Sequence, residues 1–144
     1  MAYSKQRESI LRTVQSSRIH PTADEIYAAL KPQQPGLSLG TVYRNLNLLT
    51  DSGKIRKVTL SGCADRFDGT MAPHCHLQCR TCGRVVDMPE MEFLDKLMQT
   101  APPADCEIEA VNLLFYGKCA ACVKKRHDDD IQNGNRSIVK TKGD

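Results

Sequence analysis

The apolar positions change period along the chain. Through the first fifty residues they recur at three- and four-residue steps, and beyond residue 55 they come in short β-rich runs. Ile10, Leu11 and Val14 sit at helical spacing behind Ser4, a residue type that caps helix N-termini. The segment His20-Pro21-Thr22-Ala23-Asp24-Glu25 opens a second helix. Thr22 and Glu25 have the spacing of a capping box, in which each satisfies a backbone donor of the first turn. Ile26 and Leu30 give that helix its apolar stripe, and Pro32, Pro35 and Gly36 stop it. Ser38 is placed to cap a third helix, on which Leu39, Val42, Leu46 and Leu49 share one face. Asp51-Ser52-Gly53 ends it. The run 55–60, a turn at Ser61-Gly62 and then Arg66-Phe67-Asp68 read as a β-hairpin. Three helices followed by a basic hairpin predict a winged helix-turn-helix.

In that arrangement the third helix is the recognition helix. Thr41, Arg44 and Asn47 point away from its apolar face, and Tyr43 and Asn45 flank it. Arg44 suits guanine or phosphate, Asn45 suits adenine or phosphate, and Tyr43 can reach the DNA backbone. Arg56 and Lys57 on the hairpin are placed to touch phosphates. The competing reading is a helical hairpin whose polar side chains form a solvated face.

The second half brings different chemistry. Cys79-Arg80-Thr81-Cys82 and Cys119-Ala120-Ala121-Cys122 are two CxxC pairs. Each presents two thiolates from one tight turn, and together they close a tetrahedral Zn²⁺ shell, which makes such a zinc structural. The 36 residues between the pairs exceed the spacing of a compact zinc ribbon, so the ion would tie together the ends of a small domain. A redox dithiol competes, but that chemistry pairs one CxxC with a βαβ pattern not found here. His74-Cys75-His76 forms a second constellation, with Asp68 before it and Asp87 after it. On a strand over 74–78, His74 and His76 share a side and Cys75 takes the other. A neighbouring strand over 85–88 would bring Asp87 to the same side as the histidines. Imidazoles and carboxylates without thiolate suit Fe²⁺, Mn²⁺ or Zn²⁺, and the hard donors favour the first two. Histidines of purely structural role remain the alternative.

Charge and composition sharpen this picture. The formal net charge is +3, but residues 1–60 carry nine Lys/Arg against four Asp/Glu, a local balance of +5. A basic front half facing an anion such as nucleic acid fits the winged helix. Hydrophobic residues make up 40% of the 144 residues and charged residues 26%, the profile of a globular protein. No apolar run approaches the roughly 20 residues of a membrane span. The start Met1-Ala2-Tyr3-Ser4-Lys5 lacks a secretory signal, so a cytoplasmic location is expected. Seven Cys in a reducing compartment point to metal or redox work rather than a disulfide scaffold.

Taken together, the motifs resemble the ferric uptake regulator (Fur) family of dimeric, metal-responsive repressors. The resemblance covers about residues 3–126. It rests on His20-Pro21-Thr22-Ala23-Asp24-Glu25-Ile26-Tyr27, Thr41-Val42-Tyr43-Arg44-Asn45-Leu46, Arg66-Phe67-Asp68, His74-Cys75-His76, and the CxxC pairs with Cys82-Gly83 and Tyr116-Gly117 near them. Within the family the chain is most similar to the peroxide-responsive branch. That branch binds its regulatory metal through three His and two Asp, which map onto His20, Asp68, His74, His76 and Asp87. The iron-sensing branch typically has Glu where Asp68 stands, and Ala110 and Val111 occupy the place of a His of its additional site.

The resemblance implies one regulatory Fe²⁺ or Mn²⁺ site and one structural Zn²⁺ site, Cys79, Cys82, Cys119 and Cys122. It also implies a homodimer on a palindromic operator of double-stranded DNA, with no enzymatic activity. With Fe²⁺ bound, peroxide would oxidise a ligand histidine, His20 or His74, and relieve repression of peroxide-defence genes. A repressor sensing iron, manganese or zinc without peroxide chemistry is the alternative. The family's usual N-terminal helix is expected to be missing, leaving Lys5, Gln6 and Arg7 of its polar-basic stretch. The fold class is therefore α+β. Residues 1–69 form the winged-helix domain and 70–126 a small α/β dimerisation domain with the four-Cys site. The polar tail 127–144 is expected to be disordered. Cys75 is read as a small buried hydrophobe or, alternatively, a redox-active or metal-binding thiol. Cys63 and Cys106 are incidental.

Overall fold

The computed structural model describes residues 4–108 and 112–132. Three helices come first: α1 (Lys5–Ser16), α2 (Ala23–Leu30) and α3 (Leu39–Asp51). Each begins where a side chain can satisfy an otherwise unpaired backbone N–H. The Ser4 hydroxyl accepts from the Arg7 N–H, and that of Ser38 accepts from the Thr41 N–H. Thr22 and Glu25 form the expected reciprocal capping box. The end of α3 is equally local in origin. Gly53 takes φ +67°, letting its N–H reach the Thr50 carbonyl and the Lys54 N–H reach that of Leu49, the double closure of a Schellman motif.

The helices meet through Ile10, Val14, Ala23, Ile26, Leu30, Leu37, Val42, Leu46 and Leu49, joined by Ile55 and Phe67. The hairpin follows as β1 (Arg56–Val58) and β2 (Arg66–Asp68), antiparallel, with Arg56 opposite Asp68. It is stitched to α2 at its root, where the Phe67 N–H donates to the Pro21 carbonyl at 3.0 Å. Three helices and a two-stranded wing form the expected winged helix-turn-helix.

The second half is built on a three-stranded sheet of order β4-β3-β5. Its members are β3 (His76–Cys79), β4 (Val85–Asp87) and β5 (Leu114–Gly117). β3 lies in the middle, antiparallel to β4 and parallel to β5. The short α4 (Phe93–Met98) fills part of the crossover, and α5 (Ala120–Gln132) leaves the sheet at the second CxxC pair. A small apolar cluster joins the halves: Val58 and Leu60 from the wing pack with Val85 and Leu114 from the sheet. Among the described residues no helix is long and apolar enough to cross a membrane.

Two expectations need correction. The strand holding the histidines begins at His76 rather than His74, because pairing with β4 and β5 starts there. His74 instead donates its Nδ1–H to the Ala72 carbonyl at 2.8 Å, two residues back. The segment 127–132, expected to be disordered, continues α5. Its opposed charges fall four apart along the helix, Lys124 with Asp128 and Lys125 with Asp129, a spacing that supports a helix even without an apolar face. The remainder of that tail, and Ala110 and Val111, lie outside the described residues.

Candidate metal centres and recognition helix

Five side chains converge between the two halves. His20 precedes α2, Asp68 ends β2, His74 lies two residues before β3, His76 begins β3, and Asp87 ends β4. One ligand-capable atom from each lies within 4.8 Å of all the others. The register explains part of this, since His76 stands directly opposite Asp87 and so shares its face. Asp87 Oδ1 lies 2.7 Å from His20 Nε2, 3.1 Å from His74 Nε2 and 3.4 Å from His76 Nε2. Asp68 Oδ2 lies 3.0 Å from His74 Nε2 and 3.3 Å from His76 Nε2.

The donor chemistry fits a divalent cation. His74 carries its proton on Nδ1, because a carbonyl can only accept, so its Nε2 presents a lone pair inward when the ring is neutral. That lone pair lies 3.0 Å from His76 Nε2. His20 Nδ1 and Asp68 Oδ2 are buried without a hydrogen-bond partner. Buried polar atoms are ordinarily satisfied, and a cation among these acceptors would satisfy them. Burial pushes the Asp68 carboxyl up, but the His76 imidazole beside it and the hydrogen bond from the Thr70 N–H, with the charges of His20 and His74, outweigh it. Asp68 therefore ionises below its ordinary value. The site is closed on one side and open on the other: Asp68 is 1% exposed, whereas the Asp87 side chain is 46% exposed.

His20 has an unusual backbone. Its φ is +48°, in the left-handed region that a non-glycine residue rarely adopts. A residue before proline is ordinarily extended, so the sequence gives no warning of it. Such conformations cost roughly 1–3 kcal/mol and persist only where the surroundings over-determine them.

The four cysteines form the second centre. Cys79 and Cys82 flank a turn at which the Gly83 N–H donates to the Cys79 carbonyl, with Gly83 at φ +74°. Cys119 and Cys122 flank the first turn of α5, and all four sulfurs lie within 4.8 Å of one another. Zn–S bonds of ~2.3 Å in a tetrahedron set sulfurs ~3.8 Å apart. The Cys82 and Cys119 sulfurs are 3.7 Å apart. Burial raises the Cys79 thiol, but the N–H groups of Cys119, Cys82 and Thr81 more than offset this and bring it to about 6. The Cys122 N–H likewise lowers Cys119. Cys122 is pushed up to about 12, first because its thiol donates to Cys119. A cluster that draws some sulfurs to thiolate while another keeps its proton is matched to a cation that can replace that proton.

The recognition helix departs from expectation at one position. Tyr43 and Arg44 are exposed on α3, and Thr41 is half-buried with its hydroxyl 2.9 Å from that of Ser38. Asn45 is 4% exposed and faces inward. Its amide donates to the Thr41 carbonyl at 2.9 Å and accepts from Arg7 Nε at 3.0 Å, so it ties α3 to α1 instead of facing a base. On the wing, Lys57 pairs with Asp65 at 2.8 Å and the Arg56 guanidinium donates to the Met71 carbonyl. Cys75 is fully buried and belongs to neither cluster. Sequence reasoning missed Arg66, which caps the His20 carbonyl, and the Arg7–Asn45 tie. Only Arg66 carried a signal, as the residue two before Asp68 in the quoted Arg66-Phe67-Asp68 motif.

A winged helix joined through a His/Asp centre to a sheet bearing a four-Cys centre defines a metal-responsive transcriptional regulator. The profile of the ferric uptake regulator family matches residues 1–116, and the chain belongs to that family. The peroxide-responsive repressor PerR of Staphylococcus aureus (strain USA300) is 38% identical over 122 residues, 83% of this chain and 81% of that one. Among solved structures, the Vibrio cholerae ferric uptake regulator is 28% identical with a TM-score of 0.66, over 83% of this chain and 92% of that one. The Helicobacter pylori regulator Fur shares the fold, with a TM-score of 0.70 at 22% identity over 85% of this chain and 83% of that one. Repressors of this family are transcriptional regulators that bind DNA as dimers.

Proposed function

We propose that this repressor grips a palindromic operator while Fe²⁺ or Mn²⁺ fills the His/Asp centre, and that hydrogen peroxide releases it when the metal is iron. The observation that carries this reading is the convergence of five donors from both halves of the chain. His20, Asp68, His74, His76 and Asp87 are the regulatory ligands, and Cys79, Cys82, Cys119 and Cys122 hold a structural Zn²⁺. The similarity to a peroxide-responsive repressor supports the peroxide branch. So does Asp at position 68.

His20 and Asp68 belong to the DNA-binding unit, residues 1–69, and the other three ligands belong to the dimerisation unit, residues 70–126. When all five act together they fix the angle between the units. In a C₂ dimer that angle sets the separation of the two α3 helices, and so whether both reach half-sites of a palindrome. Thr41, Tyr43 and Arg44 face the DNA, with Arg56 and Lys57 free to exchange their internal partners for phosphates. Asn45 holds α3 in place. Loss of one ligand shifts the population toward open forms. Ferrous iron held by these five residues would supply the chemistry by which peroxide passes one oxygen atom to a ligand imidazole, with water as the other product. Mn²⁺ held by the same residues would not supply that chemistry. Such a regulator works in the cytoplasm, with the DNA.

Peptide mass spectrometry on Fe²⁺-loaded protein after brief peroxide exposure tests this, against a Mn²⁺-loaded control. One added oxygen on the His20 or His74/His76 peptide, with iron only, is expected. No histidine oxidation in either sample would favour a repressor answering to iron, manganese or zinc availability alone.

A further inference from the structure

The left-handed backbone of His20 needs something to hold it, and the surroundings supply one side chain. Arg66 Nη1 donates to the His20 carbonyl at 2.9 Å and approaches the Ile19 carbonyl at 3.5 Å and Glu25 Oε2 at 3.3 Å. The same Glu25 oxygen accepts from the Thr22 N–H at 2.8 Å, so the capping box of α2 also grips the guanidinium. Around it, Thr22 and Arg66 form an isolated β-bridge, and the Phe67 N–H donates to the Pro21 carbonyl. The side chain of Arg66 is only 13% exposed. Among the described residues its guanidinium reaches the Ile19 and His20 carbonyls and Glu25, the stretch that delivers His20 and opens α2.

Two donors of the site therefore hang on one short strand. Asp68 is carried by β2 directly, and His20 is carried through the arginine two residues earlier. The imidazole that results is 2% exposed, with Nε2 2.7 Å from Asp87 Oδ1 and Nδ1 3.6 Å from Asp68 Oδ1. From an extended backbone, the ordinary state of a residue before proline, the ring would leave Cα in a different direction.

We propose that Arg66 is a positioning residue for the His/Asp centre, fixing His20 in the left-handed conformation from which its imidazole meets Asp68 and Asp87. It acts through the His20 carbonyl and contacts no metal itself. The inference rests on the reading of the centre as a divalent-cation site. A site whose most remote donor is set before the ion arrives binds more tightly than one that must order that donor.

The test uses the full chain with its structural zinc in place. Arg66→Met keeps the apolar stem and removes the N–H donors. Its Mn²⁺ affinity, measured by competition with a fluorescent chelator, is expected to fall about 10- to 100-fold, the range for losing a group that orients a ligand. Arg66→Lys restores a donor and is expected to recover part of the loss. Glu25→Gln, which loosens the grip on the guanidinium, is expected to give a smaller loss in the same direction. A residue serving only the fold would not move the second readout, imidazole ¹H–¹⁵N NMR of the metal-free protein. There the His20 signals are expected to shift or broaden in Arg66→Met while those of His74 and His76 stay. Unchanged Mn²⁺ affinity in both Arg66→Met and Glu25→Gln would overturn the proposal. Wild-type protein that takes up no Mn²⁺ would instead overturn the functional reading, and an undisturbed His20 spectrum would then overturn the role of Arg66 as well.

Discussion

Asp68 is ionised where a lone carboxylate would be costly. It is 1% exposed and faces His20, His74 and His76, while its Oδ1 accepts from the Thr70 N–H at 2.8 Å. A carboxyl whose folded-state pKa lies below its unfolded value adds stability that is complete above the unfolded pKa and is lost as pH falls through the folded one. The unfolded reference is 3.8, so the loss lies below about pH 4. Metal-free wild type is therefore expected to lose melting temperature faster than Asp68→Asn on acidification below pH 4. Parallel curves in thermal melts would contradict the stabilising role. Asp87 is the complementary case, half-exposed with one oxygen near all three imidazoles. Asp87→Glu adds a methylene and carries that oxygen past the shared position. The expected outcome is loss of histidine oxidation on iron and peroxide treatment, read by the same mass spectrometry. An unchanged response would count against Asp87 as a ligand.

At the scale of elements, one glycine shows how tightly the hinge strand lies on α1. A Cβ at Gly69 would stand 2.7 Å from Gln15 Cα and 3.1 Å from its backbone N. Backbone cannot yield as a flexible side chain can, so β2 would have to lift off α1. Gly69→Ala is expected to cost about 1–3 kcal/mol, as overpacking does, and to lower the melting temperature by several degrees. Because Asp68 precedes it, metal affinity should fall with stability. A melting temperature within a degree of wild type would show that β2 has room to move. What was legible in the sequence at this scale was whatever is decided locally. Ser4, Thr22 with Glu25, and Ser38 announce helix starts because capping involves neighbours three residues apart. The CxxC pairs announce a metal because two thiols on one turn have few other uses. Contacts between distant segments were not legible. Asn45 reads as a flank of α3 until Arg7, thirty-eight residues earlier, is known to stand against it. His20 precedes Pro21 and would ordinarily be extended, and the contact that sets it otherwise comes from Arg66, forty-six residues later.

For the whole molecule, the two halves meet at a second junction besides the His/Asp centre. Val58 and Leu60 of the wing pack with Val85 and Leu114 of the sheet, and Gln78 Nε2 donates to Cys63 Sγ at 3.6 Å across the same junction. Leu60 is 4% exposed and belongs to this junction, not to the helical core. Ligand binding can shift a closed-open equilibrium only by its differential affinity for the two forms, so what the junction contributes to closure the metal need not supply. Truncating a well-buried leucine costs at least about 2 kcal/mol, which is roughly thirtyfold in an equilibrium constant. When the closed form is already a minority without metal, the apparent metal affinity falls by the factor by which that population falls. Leu60→Ala is thus expected to raise the Mn²⁺ concentration for half-maximal DNA binding by about thirtyfold or more. All five ligands, the four cysteines and the helical core remain as they were. Equilibrium titration of DNA binding against Mn²⁺, at fixed salt because phosphate contacts are salt-dependent, reads this directly. DNA affinity at saturating Mn²⁺ should change far less, since the five ligands then hold the angle by themselves. An unchanged half-saturation would mean that the junction is equally satisfied in the open form, and that the metal centre alone sets the spacing of the recognition helices.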